Sequence, residues 1–89
     1  MTDVQMLVGS LSNDLYRIAS LKQRGSHTAA NKFLIEAKRW SSRLELVAEK
    51  QYIKDIAKEV SKTSQVGLDE AETFLMYGTL LQNYALHNM

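Results

Sequence analysis

The sequence predicts an all-α fold, an antiparallel helical bundle of three helices with a long central helix, and three observations predict it. The 89 residues contain no proline and four glycines, so the chain has few places to turn. The Asn-Gly and Asp-Gly dipeptides that close β-hairpins are missing. Apolar residues recur at three- and four-residue spacing along most of the chain, which is the period of a helix.

The first helix is predicted over about 3–24. Thr2 and Gln5 make a T-x-x-Q capping box ahead of it. Val4, Leu7, Val8, Leu11, Leu15, Ile18 and Ala19 form its apolar stripe, with Ser10, Ser12, Asn13, Arg17, Ser20 and Gln23 opposite. Gly25 follows "KQR" and suits a C-terminal stop, since glycine accepts a left-handed turn and cations suit that end of the dipole. Ser26 or Thr28 is the next cap.

The second helix is predicted over 28–64, a stretch with no glycine or proline before Gly67. Ala30, Phe33, Leu34, Ala37, Trp40, Leu44, Val47 and Ala48 share one face. Ile53, Ile56, Ala57 and Val60 then fall on roughly the opposite face at about 100° per residue, with Ile35 and Leu46 already on that side. A turn near Glu49–Gln51 would explain the slip, and so would one helix that buries different faces along its length. "VAEKQY" holds strong helix formers and no turn residue, which favours continuity. The last helix is predicted over about 69–86, opened by a capping box of Asp69 and Glu72. Its main face is Ala71, Phe74, Leu75, Gly78, Leu81 and Ala85. A second face carries Met76, Tyr77, Leu80 and Tyr84.

The chain reads as a single helical domain, 1–89, without linkers or repeats. A continuous central helix would be about 55 Å long, and its two faces would hold the outer helices on opposite sides. Such a Z-shaped protomer leaves apolar surface open, and a symmetric dimer is the simplest way to cover it. The interface is expected at Met76, Tyr77, Leu80 and Tyr84, since aromatic residues and Met concentrate at interface cores. Ala71, Gly78 and Ala85 recur every seven residues and let another helix approach closely. A compact three- or four-helix monomer with Tyr77 and Tyr84 at its rim is the alternative.

Lys50, Lys54, Lys58 and Lys62 form a ladder in "EKQYIKDIAKEVSK". Asp55 and Glu59 stand beside it, each three residues before a lysine, and acids oppose a phosphate-gripping face. The ladder therefore reads as a solvated helix flank. Residues 1–43 hold seven cations against three acids, a balance of +4, and residues 44–89 hold four against seven, or −3. That polarity suits an acidic partner or head-to-tail pairing of copies. Lys32, Lys38, Arg39 and Arg43 with Trp40 are the candidate nucleic-acid contact, although Trp40 also lies on the apolar stripe.

No enzyme is expected. There is no cysteine, His27 and His87 stand 60 residues apart, no Gly-rich phosphate loop occurs, and no serine lies in a G-x-S-x-G turn. Cofactors and metals are accordingly not expected. The longest apolar run, "FLMYGTLL", is far short of the roughly 20 residues that span a bilayer, and Asp3 sits where a secretory signal needs positive charge. These features predict a cytoplasmic, self-associating helical module for protein–protein interaction, with a nucleic-acid-associated regulator as the alternative.

Overall fold

Four α-helices and no strand form among residues 2–87, the residues that this computed structural model describes. They are α1 (Asp3–Gln23), α2 (His27–Val47), α3 (Gln51–Lys62) and α4 (Leu68–His87). α1 packs against both α2 and α4, and α3 packs against α2. The molecule measures 35 × 21 × 18 Å, too short for a central helix of about 55 Å.

The ends of α1 follow from its sequence. Thr2 accepts from the Gln5 backbone N–H at 3.1 Å while Gln5 Oε1 accepts from the Thr2 N–H at 3.0 Å, so the capping box is complete. At the other end the Gly25 N–H donates to Lys22 and the Ser26 N–H to Leu21, the paired bonds of a Schellman turn. Gly25 sits at φ 81°, which a side chain would resist.

The predicted helix over 28–64 is two helices. α2 ends at Ala48 (φ −69°, ψ 139°) and α3 starts after Lys50 (φ −75°, ψ 129°), both extended. The turn near Glu49–Gln51 is thus the explanation of the phase slip, and the Z-shaped protomer does not form. Energetics explain why helix-forming residues yield here. The break gives up a few helical hydrogen bonds, each worth about 0.5–1.5 kcal/mol net. It lets α3 fold back on α2 and bury Ile53, Ile56 and Val60, each worth roughly 1.5–3 kcal/mol. Burial wins. Ile35 and Leu46 do not share that face and stay exposed, at 60% and 86%.

α4 begins one residue earlier than expected and without the Asp69–Glu72 box. Glu70 reaches back instead, its Oε1 accepting from the Gly67 N–H at 2.7 Å. Acids still occupy the first turn, where they suit the helix dipole.

One core runs through all four helices, from Leu7, Leu11 and Leu15 of α1 to Leu34 and Leu44 of α2, Ile53 and Val60 of α3, and Phe74 and Leu81 of α4. Because α1 lies between α2 and α4, it is buried over about half its circumference, by about 100° per residue, and not on one stripe. Ser12, expected on the wet side, is therefore buried and donates to the Gly78 carbonyl of α4 at 2.8 Å.

Candidate functional site

The predicted interface residues of α4 divide into two groups. Tyr77 and Tyr84 are half-buried and pack against the core of their own chain. Met76 and Leu80 stand out in solvent, at 55% and 42% exposure. The exposed face they belong to is wider than the sequence reading had it. Leu68 and Leu86 extend it to both ends of the helix, and Leu75, expected in the core, lies at its edge. Polar company on this face comes from Asp69, Glu72, Thr79 and Asn83, all exposed.

The small residues of α4 have a different use from the one expected. Ala71, Gly78 and Ala85 face α1. A Cβ on Gly78 would lie 3.3 Å from the Tyr16 ring, and the Tyr16 hydroxyl meets Thr79 Oγ1 and Gln82 Oε1 at 3.0 Å each. The close approach is thus made within the protomer.

The four candidate nucleic-acid contacts also separate. Lys38 is half-buried, and its Nζ donates to the Thr63 carbonyl at 2.9 Å, completing the C-terminal end of α3. Lys32, Arg39 and Arg43 are exposed on α2. Trp40 is half-buried, with its Nε1–H directed at Asp14 Oδ2 (3.0 Å) and Glu36 Oε1 (3.4 Å). No free ring therefore accompanies the three remaining cations. The lysine ladder is a solvent-side flank, with Lys50, Lys58 and Lys62 exposed. Asp55 accepts from Gln51 Nε2 at 2.9 Å, and neither Asp55 nor Glu59 pairs with a lysine among the described residues.

The buried polar cluster around Asp14 was not singled out from the sequence. Asp14 is 2% exposed at the α1–α2 seam, and Arg17 Nη1 is 3.9 Å from its Oδ1. The Arg17 guanidinium also lies 5.3 Å above the Phe33 ring, a cation–π contact across the same seam. Burial, and next the charge of Glu36, push the Asp14 carboxyl up to about 6, against the pull of the Trp40 N–H and Arg17. A signal was present: at about 100° per residue, Asp14 falls within about 20° of Leu7 on the apolar stripe. A raised carboxyl can mark an acid–base site. Here its neighbours are an indole, a second carboxylate and a guanidinium, which hold two helices together without a nucleophile among them.

Clefts indent the surface among the described residues. One, of about 380 Å³ between α1 and α4, is lined by Gln5, Met6, Gly9, Ser10, Asn13, Ala85 and Leu86, with no titratable side chain among them. Another lies among Thr2, Val4, Glu49 and Tyr84. His27 is exposed at the first position of α2, its Nδ1 3.1 Å from Lys22 Nζ. His87 is the last residue of α4. Among the described residues no three His, Cys, Asp or Glu side chains gather as metal ligands, and no helix is long and apolar enough to cross a membrane.

Comparison with family models, with curated proteins and with solved structures gives no match to this chain.

Proposed function

We propose that the protein is a small cytoplasmic interaction module that self-associates through the solvent face of α4 and works by binding, without catalysis. The observation that carries this reading is the set of Leu68, Leu75, Met76, Leu80 and Leu86 exposed on one helix whose other face is fully engaged. Five large apolar side chains aligned on one helix exceed the scattered exposure usual for a free surface. Tyr77 and Tyr84 border that face, half-buried against the core of their own chain. A second copy of the chain is the simplest cover for it.

Sedimentation velocity over a wide concentration range tests the proposal. The wild-type chain should shift from monomer to a larger species. Leu80→Glu should stay monomeric with unchanged helical content, because Leu80 is partly exposed in the protomer and the carboxylate keeps its water there. At an interface the same carboxylate, buried and unpaired, costs several kcal/mol by order of magnitude. A wild-type chain that remains monomeric at every concentration refutes self-association.

The second reading, nucleic-acid binding through Lys32, Arg39 and Arg43, rests on three exposed cations on one face of α2. The engagement of Lys38 and Trp40 inside the fold weakens it. Titration with mixed-sequence duplex at low salt tests it, since binding of this kind falls steeply as salt rises.

A further inference from the structure

The solvent face of α2 is the counterpart of that of α4. At about 100° per residue, Ile35, Arg39, Leu46, Lys32 and Arg43 fall within an arc of about 80°. All five are exposed, and this arc holds no acid: Glu36 lies about 20° beyond one edge and Glu45 about 80° beyond the other, both half-buried. Glu45 is occupied there by the Ser61 hydroxyl at 3.0 Å. None of the three cations has an ion-pair partner among the described residues. Leu46, at 86%, is the most exposed of the large apolar side chains among the described residues.

The face of α4 carries the opposite charge on the same kind of ground. Asp69 and Glu72 stand among Leu68, Met76 and Leu80, neither in an ion pair among the described residues, and the one cation-forming side chain of α4, His87, lies at the opposite end of the helix. Glu70, by contrast, is held by the Gly67 N–H. The spacings also correspond. Arg43 follows Ile35 by eight residues, and Leu80 follows Glu72 by eight, about 12 Å on each helix. With the helices antiparallel, Arg43 meets Glu72 where Ile35 meets Leu80, and Leu46 reaches the turn of Leu68 and Asp69.

We infer that the α4 face of one copy docks on the α2 face of a second copy, so that the contact joins two different surfaces of the same chain. The inference rests on the self-association proposed above and names the surface that α4 meets. Opposed rows of charge fix the pairing and its register, and the apolar side chains supply the buried area. Two α4 faces set parallel would instead bring Asp69 and Glu72 toward their own copies, where like charges repel, and set antiparallel they would offer those acids no cation-forming side chain but His87.

Charge reversal in two separate chains tests it. One variant carries Arg39→Glu and Arg43→Glu, the other Asp69→Lys and Glu72→Arg, with circular dichroism to confirm folding. Each alone should associate at least about tenfold more weakly than the wild type, because its α2 and α4 faces now share one sign. Mixed in equal amounts, the two should associate again, since the acidic α2 of one meets the basic α4 of the other. A mixture that stays monomeric overturns the inference, as does a reversed α2 that associates like the wild type. If Leu80→Glu dissociates the protein while α2 reversal does not, α4 meets another surface, and only the pairing with α2 falls. Loss of duplex binding on α2 reversal, with assembly intact, would assign that face to nucleic acid and also overturn it.

Discussion

The indole Nε1–H of Trp40 donates to Asp14 Oδ2 at 3.0 Å, and that bond ties α2 to the one acid buried in α1. The acid sits there at a cost. Its carboxyl is pushed up to about 6, against about 3.9 for an aspartate in an unfolded chain, so the fold holds the proton more tightly than the unfolded chain does. Stability from this group is therefore full below about pH 4 and is lost as pH rises through about 6.

Asp14→Asn should remove that dependence. The amide oxygen still accepts from Trp40, and the amide nitrogen faces Glu36 as a donor instead of a like charge. At pH 7 the variant should be more stable than the wild type by up to about 3 kcal/mol, and the gap should close toward pH 4. Urea unfolding of both chains at several pH values between 4 and 7 measures it. A gap that does not change with pH would contradict the assignment.

Gly78 and Tyr16 make a second test of the α1–α4 seam. A valine at position 78 puts its side chain into the Tyr16 ring, which the contacts of its hydroxyl with Thr79 and Gln82 hold in place. Gly78→Val should cost about 1–3 kcal/mol of stability, the range for overpacking a filled site. In a Tyr16→Ala background the same substitution should cost clearly less, as a double-mutant cycle would show.

Ser41 should be improved by truncation. Its side chain is fully buried at the centre of the inner face of α2, and its Oγ has no hydrogen-bond partner. A buried hydroxyl without a partner costs about 1–3 kcal/mol, and alanine is also the better helix former. Ser41→Ala should raise the midpoint of thermal unfolding by a few degrees.

The break between α2 and α3 can be probed with proline. Lys50 is at φ −75°, close to the proline value, and its side chain is exposed. Lys50→Pro should leave stability unchanged or raise it by about 0.4–1 kcal/mol, through a less flexible unfolded chain. In one continuous helix it would cost about 3 kcal/mol. Denaturant unfolding separates the two.

Helical content and three of the stops were legible because their causes are local. The capping box at Thr2, the left-handed Gly25 and the loop before α4 are each set by a few neighbouring residues. The break at Ala48–Lys50 was not, because nothing in "VAEKQY" opposes a helix. Its cause is tertiary, the fit of Ile53, Ile56 and Val60 against α2, and the sequence shows it only as a slip of apolar phase. Burial on both sides of α1 was hidden likewise. Ser12 and Asp14 look polar in a list of residues and become interior once α1 has helices on two sides. At the candidate site, Met76 and Leu80 are exposed while Tyr77 and Tyr84 are half-buried. Helical spacing puts all four on one strip, but nothing in it says how far a ring leans toward its own core.

The placement of α4 on α1 sets the order in which the molecule can be completed. The Ser12–Gly78 bond joins residues 66 positions apart. At about 5–20 residues per second, the ribosome delivers the second partner roughly 3–13 s after the first. α1 and α2, linked by a three-residue turn, can pair long before that. For those seconds the side of α1 around Tyr16 has no lid, and the newborn chain is at its stickiest. Gln5 and Met6 lie across one cleft from Ala85 and Leu86, so the first and last turns are neighbours. A gene rearranged to begin within 63–67, with α4 spliced ahead of α1, would put both partners side by side in the emerging chain. Such a permuted chain should shorten that exposed interval while keeping every helix where it is.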